Sequence, residues 1–110
     1  MDERSLVNLP SLMALRRGNP EVIAGVIDGP VATGHPELTA ANFRSAADQE
    51  IRCSNPPSLS CRHGTSITGI LASSRQSDVP GIAPDCAYWL RPVFWRMHLT
   101  VKFRLRLCRK

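Results

Sequence analysis

Three observations predict an α/β fold built on a partial parallel sheet. Residues 22–27 form a short apolar run, rich in β-branched side chains and without alternation, which predicts a strand buried on both faces of a parallel sheet. Residues 63–73 carry apolar side chains at helical spacing, and residues 86–94 form a second apolar run. The order strand, loop, helix, strand is typical of doubly wound α/β sheets.

The remaining segments are predicted to be loops and one short helix. Pro10 interrupts any long N-terminal helix, so we expect a loop and then a short helix from about Ser11, a plausible N-cap. Gly29-Pro30 ends the first strand, and residues 39–62 have little periodicity, which predicts a long loop. Residues 76–80 read as a surface loop and 81–84 as a turn.

Charge divides the 110-residue chain unevenly. Residues 1–94 hold eight basic and nine acidic side chains, whereas 95–110 hold six basic and none acidic, so the net charge of +5 belongs to a tail. We therefore divide the chain into 1–19 (loop and short helix), 20–94 (α/β domain) and 95–110 (basic tail). The tail alternates like a half-exposed strand. It is a solvated edge, a surface for nucleic acid or membrane, or sequence foreign to the fold through frame loss. We favour the last, and predict no nucleic-acid or membrane partner.

The cysteines and the N-terminus concern the compartment. No apolar run approaches a membrane span, and no secretory signal is evident, so we expect a cytoplasmic protein with free thiols. A bridge between Cys53 and Cys61 within one loop is the alternative. A zinc site is a weak further alternative because the spacing fits no familiar finger; its ligands would be Cys53, Cys61, His63 and Cys86.

Asp28 and His63 are the candidate catalytic residues. Asp28 ends the first predicted strand, and His63 begins the predicted helix after a loop long enough to return it to that strand end. Functional groups of open α/β sheets gather at the carboxyl ends of strands. A histidine can take a proton near neutral pH, and a carboxylate fixes its tautomer. Singly, each residue reads more simply as a turn or cap residue; their order and spacing favour a catalytic pair.

Over about residues 20–94 the chain resembles the subtilisin-like (S8) serine peptidases, and within them the cyanobactin-maturation proteases. The segments that carry the resemblance are VIDGPV at 26–31, HPEL at 35–38, HGTSITGIL at 63–71 and GIAPDC at 81–86. The resemblance implies a partial subtilisin-like fold, with Asp28 as the triad carboxylate and His63 as the general base. It also implies a peptide or protein substrate and no cofactor or metal. The direct Asp28-Gly29-Pro30 succession narrows the match to the cyanobactin branch.

One departure concerns the nucleophile. The sequence to Lys110 contains no nucleophile turn and no oxyanion-hole asparagine segment. Gly64-Thr65-Ser66 spells the family's serine tripeptide, but Ser66 lies three residues from His63 on one predicted helix and cannot meet it across a substrate. We therefore expect an N-terminal portion of a serine endopeptidase, inactive alone. The alternative is a truncated remnant or a small non-catalytic binding protein.

Overall fold

A computed structural model of the chain describes residues 3–45, 50–53 and 58–93 and confirms the α/β prediction. Three parallel strands form one sheet in the order β1-β3-β2. The elements along the chain are α1 (Glu3–Leu6), α2 (Leu9–Leu15), β1 (Ile23–Asp28), β2 (Asn42–Arg44), α3 (Leu59–Ala72) and β3 (Ala87–Pro92). The basic tail predicted at 95–110 lies outside the described residues.

The central strand β3 sets the position of the other two. It pairs with β1 along its whole length, from Ile23 opposite Ala87 to Asp28 opposite Pro92. On its other side it pairs with β2, which lies in the stretch predicted to be a long loop. The pairing aligns the carboxyl ends of β1 and β3, so Asp28 lies at the end of the sheet where both strands terminate.

The hydrophobic core lies on one face of the sheet. Its buried members are Val26, Val31, Leu38, Ala72, Cys86, Tyr88 and Leu90. The opposite face of β1 is open, with Ile23 52% and Ile27 72% exposed. The prediction that β1 is buried on both faces is therefore wrong. Among the described elements, the helix that packs on β1 is α3, and one helix covers only one face.

Two helices begin earlier than predicted, α3 with a side-chain cap and α2 without one. Helix α3 begins at Leu59, four residues before His63, and the Ser58 side chain caps it by accepting from the backbone N–H of Cys61 at 3.2 Å. Helix α2 begins at Leu9 with Pro10 in its first turn, where its missing N–H costs nothing. Asn8, and not Ser11, occupies the N-cap position, with a left-handed backbone (φ 53°) and no capping bond from its side chain, whose Oδ1 accepts from the Ser11 hydroxyl at 2.8 Å.

The turn at residues 81–84 closes the C-terminal end of α3. Its backbone N–H groups donate to helix carbonyls, Gly81 to Ser73 at 3.1 Å and Ile82 to Ile70 at 2.9 Å. A Cβ atom on Gly81 would lie 2.5 Å from the Ser73 carbonyl oxygen, so only glycine fits. The turn thus satisfies carbonyls that a helix end leaves without partners.

Arg75 ties α2 to this end of α3. Its guanidinium donates to the carbonyls of Met13 at 2.6 Å and Arg16 at 2.7 Å, and also to those of Gly81 and Ile82 at 2.8 and 2.9 Å. The N-terminal helix is therefore held to the α/β unit by charge-assisted hydrogen bonds. The proposed division after residue 19 stays a prediction.

Cys53 and Cys61 form a disulfide, with their Cα atoms 5.5 Å apart. The prediction of free thiols is wrong for this pair, since the fold brings the segment before α3 against its first turn. The bonded sulfurs are no longer available as zinc thiolates, and the described residues contain no cluster of three or more metal-ligating side chains. Cys86 is free and buried. None of the helices in the described ranges has the length and apolarity to cross a bilayer.

Replacing Tyr88 by Phe should destabilise the fold by about 1–2 kcal/mol, because the buried phenol donates to the Ala83 carbonyl at 2.6 Å. Burial raises the pKa of Tyr88 to about 12 from 10.0, so the phenol's stabilising effect is present below pH 10 and is lost as the pH rises toward 12. Urea denaturation at pH 8 and at pH 11.5 measures the free energy of unfolding, which should fall in the native chain and fall less in Tyr88→Phe. An equal loss in both would contradict it; Trp89→Phe, at an exposed neighbour, is the control.

Reducing the Cys53–Cys61 disulfide should lower the free energy of unfolding by about 2–3 kcal/mol. The bond closes a loop of about nine residues, and its reduction raises the conformational entropy of the unfolded chain. Urea melts with and without dithiothreitol measure this difference. The double variant Cys53→Ser/Cys61→Ser is the control and should not respond to the reductant. A native chain as stable reduced as oxidised would show that the bond does not constrain the fold.

Candidate active site

Asp28 stands at the carboxyl end of β1 and accepts two hydrogen bonds on one oxygen. The backbone N–H of Gly29 donates to Asp28 Oδ1 at 2.6 Å, and His63 Nδ1 lies 2.8 Å from the same atom. The structure therefore brings together the two residues that the sequence singled out. Their catalytic role stays a prediction.

The contact with Asp28 determines which tautomer His63 adopts. An ionised carboxylate only accepts hydrogen bonds, so Nδ1 carries the hydrogen and donates it. In the neutral ring this leaves the lone pair on Nε2. The His63 side chain is 61% exposed and that of Asp28 only 18%, so the ring stands between a sheltered carboxylate and solvent. This arrangement can accept a proton at Nε2 from a group approaching from outside.

The pKa of Asp28 reflects two opposing effects. Burial of the carboxyl raises it, whereas the hydrogen bonds from His63 and Gly29 and the charge of His63 lower it, and the lowering effects prevail. The pKa of Asp28 therefore lies below its usual value of 3.8. The Asp28 carboxylate is therefore ionised at neutral pH.

Two glycines allow α3 to approach the loop after β1. A Cβ atom on Gly64 would collide with the carbonyl oxygen of Gly29 and lie 2.6 Å from that of Pro30. A Cβ on Gly29 would collide with the carbonyl oxygen of Ser60. The residues that follow Asp28 and His63 are thus glycines because backbone meets backbone there, and neither has a positive φ. Sequence reasoning identified both glycines as motif residues but not the contact between them.

Thr65 is a site residue that sequence reasoning did not single out. Its hydroxyl accepts from the backbone N–H of Ala32 at 2.9 Å and lies 3.8 Å from Cys53 Sγ. The Cys53 backbone N–H in turn donates to the Val31 carbonyl at 3.3 Å. These contacts join α3, the loop after β1 and the disulfide at one place. The position of Thr65 next to the His-Gly pair was the one available signal.

No hydrogen bond joins Ser66 to His63. The serine hydroxyl donates to the Arg62 carbonyl one turn earlier in α3, at 2.8 Å. The Ser66 hydroxyl is thus directed at the preceding turn of its own helix. Its side of α3 borders an open cavity of about 280 Å³, whose apolar floor includes Leu38, Ile70 and Val79 and whose lining includes His35 and Glu37.

Among known proteins, the chain is similar to several solved structures. No protein-family model and no curated protein matches the chain. The structure of the prenylagaramide maturation protease PagA aligns with a TM-score of 0.65 and 31% identity, over 84% of this chain and 30% of that one. A serine-to-alanine variant of the protease domain of PatA aligns with a TM-score of 0.63 and 26% identity, over 71% of this chain and 28% of that one.

A third neighbour shares the fold alone. The PatG macrocyclase domain aligns with a TM-score of 0.61 but only 14% identity, over 84% of this chain and 40% of that domain. The chain thus spans about 30% of the length of the maturation proteases that it matches. The resemblance carried by the sequence motifs is confirmed: the structural neighbours of this chain are cyanobactin maturation proteases, and its three-stranded sheet and helices match part of their subtilisin-like fold.

Proposed function

We propose that Asp28 and His63 are the carboxylate and the general base of a serine-type peptidase site that processes peptide precursors. The observation that carries the proposal is the 2.8 Å contact between Asp28 Oδ1 and His63 Nδ1, with the rest of the histidine ring exposed. The names of the neighbours, which are maturation proteases, support a peptide substrate.

In this proposal His63 transfers the proton, and Asp28 holds the His63 ring in place. Nε2 takes the proton of a serine hydroxyl as the oxygen attacks the scissile carbonyl, and Asp28 stabilises the imidazolium that forms. His63 then gives the proton to the leaving amine, and the acyl group remains on the serine until water repeats the cycle. The 110 residues of this chain contain no nucleophile turn and no oxyanion-hole asparagine segment, so in this proposal other residues supply the serine and the oxyanion donors. No cofactor takes part.

A chimera tests whether the pair can serve catalysis. The part of the PagA protease that aligns with this chain is replaced by the matching residues of this chain, and hydrolysis of a precursor peptide is followed by mass spectrometry. We expect measurable turnover that falls at least about a thousand-fold in His63→Ala and in Asp28→Asn, as in other triads. Ser66→Ala, one turn away on the same helix, is the matched control and should keep full turnover.

The chimera result is read with a second measurement in case the hybrid folds poorly. Nitrogen-15 NMR of the native chain reports the tautomer of His63 directly. We expect Nδ1–H in the native chain and a mixture of tautomers in Asp28→Asn. An asparagine amide both accepts and donates hydrogen bonds, so it does not fix one tautomer as a carboxylate does. A folded chimera whose turnover survives His63→Ala, or a native His63 in the Nε2–H form, would remove the catalytic assignment.

The isolated chain should not react with a fluorophosphonate probe. The Ser66 hydroxyl is committed to the Arg62 carbonyl and is not next to a base, so it has no route to a nucleophilic form. Labelling at a large excess of probe, followed by peptide mapping, measures this. A label on Ser66 that disappears in His63→Ala would contradict the prediction and place the nucleophile within α3.

Asp28 should make stability depend on acid. Its pKa is lower in the folded chain than the 3.8 of an ordinary aspartate, so its contribution to stability is complete above pH 3.8 and is lost as the pH falls through the folded value. Urea melts at pH 6 and pH 3 should show Asp28→Asn less stable than the native chain at pH 6, with the difference shrinking at pH 3. Asp78→Asn, on an exposed residue, is the control, and an unchanged difference at the two pH values would contradict this prediction.

A further inference from the structure

The disulfide between Cys53 and Cys61 lies two residues from the candidate base. Cys61 is the third residue of α3, and His63 follows it in the same helix. Cys53 ends the segment 50–53, which borders the loop after β1. The bond therefore joins two of the segments that surround the contact between Asp28 and His63.

The segment 50–53 holds the loop after β1 through backbone hydrogen bonds. The backbone N–H of Val31 donates to the Ile51 carbonyl at 2.9 Å, and the Val31 carbonyl accepts from the backbone N–H of Cys53 at 3.3 Å. Val31 is three residues from Asp28 in the sequence. Whatever fixes this segment therefore also fixes the loop that begins at the carboxylate.

Helix α3 holds the same loop from its other side. The backbone N–H of Ala32 donates to the Thr65 hydroxyl at 2.9 Å, and the two backbones meet at Gly29 and Gly64. These are noncovalent contacts. Within the described residues, the disulfide is the one covalent cross-link between α3 and the segment 50–53, so it closes the arrangement around the pair.

We propose that the Cys53–Cys61 disulfide is a redox switch for the candidate pair. In the oxidised chain it holds Asp28 against His63. Reduction releases the segment 50–53, loosens the loop after β1 and separates the pair. The effect is local, because the pairing of β1 with β3 includes none of these segments. The proposal concerns the geometry of the pair, and only its effect on turnover rests on the proposed function.

The reductant is a dithiol, and the exchange takes two steps. One thiolate of the dithiol attacks Cys53 Sγ, since Cys53 is half-buried whereas Cys61 is only 2% exposed; the bond between the two sulfurs breaks, and Cys61 leaves as a thiolate. The first turn of α3 favours this leaving group, because the positive end of the helix dipole lies there. The second dithiol sulfur then attacks the mixed disulfide and releases Cys53. The dithiol loses two electrons, which the protein disulfide gains, and its two protons pass to the released thiolates or to solvent.

Amide hydrogen exchange tests whether the release is local. The oxidised chain is compared with the chain reduced by dithiothreitol at about pH 7 without denaturant, both carrying Cys108→Ser to prevent intermolecular disulfides. We expect the amides of Val31, Ala32 and Cys53 to lose their protection on reduction. The Ala87 amide, which donates to a carbonyl beside β1 at 3.0 Å, should stay protected relative to an unstructured peptide.

Nitrogen-15 NMR of His63 tests the pair itself. The fraction of the Nδ1–H tautomer should fall at least about two-fold on reduction, because the ring loses the carboxylate that fixes it. Cys53→Ser/Cys61→Ser should give the reduced spectrum with and without dithiothreitol. Asp28→Asn should give the same mixture of tautomers in both redox states. Tyr88→Phe is the control for lost stability alone, and should keep both the Nδ1–H form and the response to dithiothreitol.

Three outcomes would overturn the switch. The first is a disulfide that dithiothreitol reduces only after urea has unfolded the chain. The second is a reduced chain in which the Ala87 amide has also lost its protection, because the bond then stabilises the whole fold. The third is a reduced, folded chain in which the tautomer of His63 is the same as in the oxidised chain.

The chimera with the PagA protease separates the switch from the proposed function. We expect its turnover to fall at least about ten-fold on reduction, and the Cys53→Ser/Cys61→Ser chimera not to respond to dithiothreitol. Turnover that depends on His63 but not on the redox state would overturn the switch alone. Turnover that survives His63→Ala would overturn the proposed function, and the tautomer measurement would still decide whether the switch exists.

Discussion

The close backbone contact between the loop after β1 and the first turns of α3 is the constraint on which the site depends. Gly29 and Gly64 allow this approach because neither carries a Cβ atom that would meet the opposing carbonyls. With the two backbones in contact, the short side chain of Asp28 reaches His63. A helix held one side-chain layer further out would put the carboxylate beyond hydrogen-bond distance. Glycine follows Asp28 and His63 for a steric reason, since any side chain at either position would separate the two backbones.

Helix α3 is fixed at both ends, and this gives the contact its rigidity. Near its start, the disulfide at Cys61 and the hydrogen bond from Ala32 to Thr65 hold it to neighbouring segments. At its end, the Gly81 turn takes up its last carbonyls, and Arg75 joins it to α2. If His63 acts as the proposed base, its place on such a helix limits the freedom that it loses when substrate binds.

The sequence predicted the elements whose signal is local. The apolar runs of β1 and β3, the spacing within α3 and the Asp28–His63 pair all came from periodicity and motif. Strand β2 could not be predicted, because its three residues are a strand only through pairing with β3. The start of α3 depends on the cap at Ser58. Two prolines directly precede this residue, and they favoured the prediction of a loop. The disulfide depends on a distance that the fold creates, and an argument from compartment could not supply it.

The open face of β1 shows a conflict between composition and position. Its run from Ile23 to Ile27 has the composition of a strand buried on both faces, yet within residues 3–45, 50–53 and 58–93 the strand order places it at an edge. The cost of exposing such a strand is relieved only by covering it, so its free energy favours any arrangement that adds a neighbouring strand. Because Asp28 terminates the same strand, a neighbour paired along β1 also lies beside the carboxylate that orients His63.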